Sequence, residues 1–281
     1  MQGGLDVFAD AIAEWAAARA DVHAAVVLGS QARENLPADE WSDLDVDVVV
    51  DDSARAAEDV GWLRDLGPPL VTFVEQTPLG HRRRVLYETG EELDLTFLPL
   101  AVVDRLESSS DYATLLARGF RVLTDEIGLE ERLRAHAERA VRPASPTRRD
   151  FDHVTADFWY HAIWTAKKLR RGEVFTARAC LYGHLRTCLV TLLEWHARSN
   201  EPDLDTWHEG RHLERWADPA AVALLASEQN DPGDLARTLW ETIGLWARLE
   251  EETAARLELE LVLERAELEA LVADLVPDPR P

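Results

Sequence analysis

Residues Val26–Val50 read VVLGSQARENLPADEWSDLDVDVVV, and their pattern decides how the first half of the chain folds. A short apolar run ends in Gly29-Ser30, a polar loop follows, and the chain returns as an alternating strand that carries Asp43, Asp45 and Asp47. Residues i and i+2 of a strand point to one face, so the three carboxylates are predicted to project together. Neighbouring carboxylates repel unless something cationic sits among them. Mg2+ answers that need, because it takes oxygen ligands from one or two carboxylates and from substrate phosphates. Gly29-Ser30 is predicted to form a close-approach turn whose hydroxyl and free backbone N–H groups suit phosphate oxygens.

Working outward, residues 5–21 place apolar side chains at helical spacing. Residues 24–29, 44–50, 70–75, 83–88 and 93–98 are short, β-branched or apolar runs that read as strands. Glu88 to Glu91 supplies a hairpin turn between the last two. In the last strand Asp94 and Thr96 lie on the face opposite Leu93, Leu95 and Phe97, and if that polar face adjoins the acids of the earlier strand, three carboxylates converge on one point. Such a site, with metal bridging a triphosphate and an attacking hydroxyl, performs in-line displacement at phosphorus. Residues 54–66 read as a helix. Beyond Pro99 the period becomes helical over 101–107, 111–118 and 128–140. The segment 141–150, VRPASPTRRD, is a proline-punctuated connector. Residues 151–171, 176–197, 218–227 and 231–269 read as helices with no strand among them. The expected fold is α+β: a catalytic domain with a mixed sheet over 1–140, a linker over 141–150, and an all-α helical bundle over 151–281.

The chain has 281 residues and a formal net charge of −23. That balance argues against a nucleic-acid surface, which needs a basic stripe, and suits a protein that attracts cations. No apolar run approaches the roughly 18 residues of a membrane span. The first six residues carry no basic or apolar leader pattern, so the cytoplasm is the expected compartment. Cys180 and Cys188 fall on one predicted helix about 12 Å apart, too far to pair, and are expected as two buried thiols. Of the 30 basic residues only Lys167 and Lys168 are lysine, which singles them out.

Gly29-Ser30, a loop, and Ser42-Asp43-Leu44-Asp45-Val46 together resemble the polymerase-β-like nucleotidyltransferase superfamily. The finer resemblance is to the aminoglycoside 6-adenylyltransferases, the streptomycin-modifying enzymes. It rests on Gly29, Ser30, Arg33, Pro37, Asp39, Trp41, Asp43 and Asp45, on Glu75-Gln76-Thr77-Pro78, and on the strand from Gly90 to Leu100. It continues into Pro146-Thr147, Asp150-Phe151-Asp152 and Phe158-Trp159. The match runs from about residue 25 to 190 and more weakly to about 250. It implies that Asp43 and Asp45 hold the metal and that Asp94 completes the metal site or acts as general base. It implies phosphate contacts for Gly29, Ser30 and Arg33, and a clamp on the β- and γ-phosphates of ATP for Lys167. Three departures stand out. Asp47 replaces a Thr or Ser, Glu75 replaces a Met, and Gly210 to Glu214 lacks the lysines of the family's Gly-Lys-x-x-Lys block.

A guanidinylated acceptor calls for carboxylates and aromatic faces. Glu75, Gln76, Asp157 and Trp159 are the expected acceptor contacts, with Glu194 to His196 offering similar chemistry. His153, His161, His184 and His196 are too dispersed in sequence to suggest a zinc site. The resemblance implies transfer of AMP from ATP to a hydroxyl of streptomycin, at the 6-position, by an Mg2+-dependent monomer acting on a cationic aminoglycoside. The alternative is a nucleotidyltransferase with another acceptor, such as a protein-AMPylating antitoxin or regulatory enzyme.

Overall fold

A computed structural model describes residues 3–278 apart from 34, 107, 141–143, 207–209 and 228–233, and of residues 3, 4 and 227 the backbone alone. The chain divides into two compact units, Met1–Arg142 and Pro143–Pro281. In the first, α1 (Gly3–Ala17) leads into β1 (Val22–Leu28), a loop, and β2 (Leu44–Val50). There follow α2 (Ser53–Glu58), β3 (Pro69–Gln76), β4 (His81–Tyr87) and β5 (Glu92–Pro99). The unit closes with α3 (Val103–Leu106), α4 (Ser110–Ala117), β6 (Arg121–Asp125) and α5 (Leu129–Ala137).

Among the described residues six strands form one sheet in the order β3-β4-β5-β2-β1-β6. β2 runs parallel to β5 and the other pairs are antiparallel, so the sheet is mixed, as expected. One face packs Leu44, Val46 and Val48 of β2 and Leu93, Leu95 and Phe97 of β5 against Phe8, Ala9 and Ile12 of α1 and Ala56 and Ala57 of α2. The other face packs Ala24, Val26 and Leu28 of β1 and Val49 of β2 against Leu116 of α4 and Leu129 and Leu133 of α5. Asp45, Asp47 and Val49 share that second face by the period of two. The helices cover Val49, and the acids occupy the stretch of β2 before it.

Two predicted elements need correction here. β6 lies between the predicted helices over 111–118 and 128–140, in a segment assigned to no element. Its five residues are too few to show alternation, and antiparallel pairing to β1 is what makes it a strand. The helix predicted over 54–66 stops at Glu58 and resumes as a 3-10 turn, Trp62–Asp65, with Gly61 between. Glycine's conformational freedom weakens a helix at that point.

Among the described residues the second unit contains helices and no strand. They are α6 (Arg148–Arg170), α7 (Val174–Ala179), a π-helical turn (Cys180–His184), α8 (Leu185–Asn200), α9 (Leu213–Trp216), α10 (Pro219–Ser227), α11 (Leu235–Arg256) and α12 (Arg265–Leu275). α6 starts inside the expected connector, of which residues 141–143 lie outside the described residues. The Thr147 hydroxyl accepts from the Asp150 N–H at 3.2 Å, and the Asp150 carboxylate accepts from the Thr147 N–H at 3.1 Å. This reciprocal cap satisfies two otherwise orphaned donors and sets the start. The helix predicted over 231–269, whose first three residues are not described, is two helices broken around Glu258, where φ is 56°. Phe158 stacks on Trp246 with centroids 3.8 Å apart at the centre of this unit. Cys180 and Cys188 are buried and free, and no helix of the described residues is long and apolar enough to cross a membrane.

Candidate active site

The parallel register of β2 on β5 sets Asp45 opposite Asp94 and Asp47 opposite Thr96. Asp43, one residue before β2, joins them: Asp43, Asp45 and Asp94 each offer a carboxylate oxygen within 4.8 Å of the others. Burial, then the charges of Asp43, Asp94 and Asp47, pushes Asp45 up to about 7 against the opposing pull of Arg82. Asp94 is also raised, by burial, while Arg84 and Arg82 hold it down. A carboxylate raised by burial and by neighbouring carboxylates marks a candidate functional site. Three hard oxygen donors at this spacing fit a divalent ion.

Asp47 leaves that group. The Tyr112 hydroxyl on α4 donates to its Oδ2 at 3.1 Å, and Asp47 is no member of the triad. Burial raises Asp47 to about 6, although the Tyr112 hydroxyl, Arg82 and Thr96 favour its anion. The unusual third acid on the strand is thus anchored to the helical cover of the sheet.

The loop after β1 approaches the acids closely. Gly29 has φ +68°, and a Cβ there would lie 2.6 Å from Asp45 Oδ2. Only glycine fits that conformation and that gap without strain. Ser30 carries a buried hydroxyl oxygen with no hydrogen-bond partner among the described residues. A buried hydroxyl without a partner is costly, and a ligand oxygen would satisfy it. The Arg33 Nε–H donates to the Leu36 carbonyl, which folds the loop back on itself. Gly119 holds the loop from behind: at φ +127°, its added Cβ would sit 2.4 Å from the Ala32 carbonyl oxygen.

Glu75, at the end of β3, reaches the acids through an arginine. The Arg84 Nε–H donates to Glu75 Oε2 at 3.0 Å while Nη1 lies 3.7 Å from Asp94 Oδ2. Sequence reading missed this arginine, and also Arg82, whose Nε–H donates to Thr96 at 3.1 Å. Their alternation, Arg82 and Arg84 on a strand beside an acidic one, was the available signal. Gln76 is exposed at the end of β3, paired in register with His81.

In the second unit Lys167 is exposed on α6 and makes no ion pair among the described residues. Lys168 is engaged, 2.7 Å from Glu173 and over the ring of Trp164. Trp159 needs correction. It is 2% exposed and packs edge-on to Phe158, so its ring belongs to the helical core and offers no face to an acceptor. His196 is likewise buried, 2.8 Å from Glu252. Asp157 is half-buried and already held. His184 Nε2 lies 3.0 Å from its carboxylate, His161 Nδ1 lies 2.8 Å away, and the Cys188 thiol donates at 3.6 Å. Partial burial works against the anion, yet His184, His161 and Cys188 keep Asp157 below its usual value. The dispersed histidines of the sequence therefore do gather in part. Asp157 and His161 are four apart on one helix face, and that spacing was the signal.

A family model described as streptomycin adenylyltransferase matches residues 6–270. An aminoglycoside 6-adenylyltransferase from Bacillus subtilis is 25% identical over 181 residues, which cover 62% of this chain and 62% of the relative. One from Campylobacter jejuni is 26% identical over 175 residues, covering 59% of this chain and 58% of the relative. The matched stretch thus spans less than two thirds of either curated relative. Among solved structures, an aminoglycoside 6-adenyltransferase from Bacillus subtilis aligns over 95% of this chain and 96% of its own, with a TM-score of 0.45 at 16% identity. A nucleotidyltransferase-like protein from Exiguobacterium sibiricum aligns over 94% and 86%, with a TM-score of 0.39 at 13% identity.

Proposed function

The chain belongs to the streptomycin adenylyltransferase family, and on that premise we propose that it transfers AMP from ATP to the 6-hydroxyl of streptomycin, releasing pyrophosphate. The observation that carries this reading is the convergence of Asp43, Asp45 and Asp94 beside the Gly29-Ser30 loop. Asp43 and Asp45, with Asp94 beside them, would hold Mg2+, and the ion would offset their mutual repulsion and the charge of the phosphates. The Ser30 hydroxyl and the backbone N–H groups after Gly29 bind phosphate oxygens, with Arg33 shaping the loop. Asp94 accepts the proton of the acceptor hydroxyl as its oxygen bonds to the α-phosphorus and pyrophosphate leaves. Burial raises the Asp94 carboxyl above its ordinary value, the direction that favours a base. Arg84, between Glu75 and Asp94, keeps that carboxylate in place. Glu75 and Gln76 meet the cationic acceptor, and Lys167 keeps the role on the β- and γ-phosphates that the resemblance implies. The enzyme acts as a monomer in the cytoplasm.

Pyrophosphate release from ATP and Mg2+ tests the proposal, with streptomycin, spectinomycin, kanamycin and no acceptor run in parallel. Release with streptomycin alone, and a product carrying AMP on the 6-oxygen by NMR, is the expected result. Release with another drug would reassign the acceptor. Silence with all of them would remove the proposed reaction. Asp45→Asn and Asp94→Asn should each abolish turnover with the circular dichroism spectrum unchanged, and Lys167→Ala should raise the KM for ATP.

A further inference from the structure

The second unit holds a cluster to which the transfer step proposed above gives no role. Asp157 and His161 stand one turn apart on α6, and His184 closes on them from the π-helical turn between α7 and α8. One donor atom of each lies within 4.8 Å of the others, and the two imidazole rings are 3.9 Å apart between centroids. The Cys188 thiol, one turn into α8, is 3.6 Å from the same carboxylate.

We propose that Asp157, His161 and His184 form a binding site for a divalent transition metal of the zinc class, with Cys188 beneath it. Two imidazoles and one carboxylate are a donor set that zinc favours and magnesium does not. Around a tetrahedral zinc, bonds of about 2.0–2.1 Å put donor atoms roughly 3.3 Å apart. The observed separations of 2.8 Å and 3.0 Å need open by only a few tenths of an ångström to admit the ion. His184 is the most exposed of the three, with 42% of its side chain accessible, which gives the ion a way in.

A second observation is independent of the side chains. Cys180–His184 is a π-helical turn inside an otherwise α-helical run. Such turns are rare and concentrate at functional sites, because the extra residue redirects a side chain that regular helix would point elsewhere. His184 is the last residue of this turn. The ion would tie α6 to the start of α8, and it acts whether or not the proposed acceptor is correct.

The test uses the full chain, stripped with EDTA and titrated with Zn2+ in a large excess of Mg2+ that occupies the acidic triad of the first unit. Isothermal titration should report one Zn2+ per chain, and the same in Asp45→Asn. His184→Ala and His184→Gln should each weaken it by about 100-fold or more, since even residues behind the ligands of a metal site cost 10–100-fold. Zn2+ should raise the Tm of the wild type and leave that of both His184 variants unchanged. No Zn2+ bound under excess Mg2+ would overturn the site. So would equal affinity in His184→Ala, or loss of the ion in Asp45→Asn.

Discussion

Gly29 and Asp45 show how little room the acidic group leaves. With a Cβ at position 29 only 2.6 Å from Asp45 Oδ2, Gly29→Ala must push the carboxylate or the loop aside. A displacement of about 1 Å at a reacting centre costs roughly 100-fold in rate. Gly29→Ala is therefore expected to lower kcat/KM by that order while near-native Tm is retained, measured by steady-state kinetics and calorimetry. Asp45 itself gives a second test. Its folded value of about 7 lies above the 3.8 of an unperturbed aspartate. A raised acid binds its proton more tightly when folded, so the stability it contributes is complete below about 4 and is lost as pH rises towards 7. In EDTA the wild-type Tm should fall across that window. In Asp45→Asn the fall should be smaller, and an identical slope would show that Asp45 is not the group responsible. The meeting of Asp43, Asp45 and Asp94 was legible in part: the strand period put the acids on polar faces, and only the pairing of β2 with β5 brought those faces together. Arg84 and the Tyr112 bond to Asp47 were not, since each depends on a neighbour brought in by tertiary packing.

Elements whose reading depended on local chemistry were legible, and those defined by a partner were not. β2 was placed to the residue because its alternation gives way to unbroken valine. β6 has no such signature and exists because β1 has an open edge to pair. The π-helical turn is invisible to a 3.6-residue period, and with it went the meeting of His184 and Asp157. The start of α6 is the reverse case, a wholly local signal in Thr147 and Asp150 that was read as part of a connector. Thr147→Ala removes one half of that reciprocal cap and should cost about 1 kcal/mol by urea denaturation. A change near zero would mean that packing of α6 alone fixes its first turn.

For the whole molecule, the net charge of −23 is the widest-ranging property. A strongly negative protein draws cations towards it over about a Debye length, some 30 Å at 0.01 M salt and 8 Å at 0.15 M. The kcat/KM for a multiply cationic acceptor should therefore fall several-fold between those salt concentrations, with kcat nearly constant. A flat profile would confine the charge to solubility. The two compact units part at Arg142 and Pro143, within the proline-punctuated segment 141–150, and the change of period beyond Pro99 falls inside the first of them.

The pairing of β2 with β5 has a consequence for how the chain comes to life. Asp45 and Asp94 become neighbours only after β3 and β4 have been set aside to the far edge and the parallel pair has closed across them. Closing a long loop is slow and unrewarded until it is complete. Nascent or damaged chains in which the two strands have not met have no triad, however much helix they hold. The complete triad is thus a built-in certificate of finished assembly, and on the proposed function the recovery of nucleotide binding during refolding should lag behind the return of helical signal.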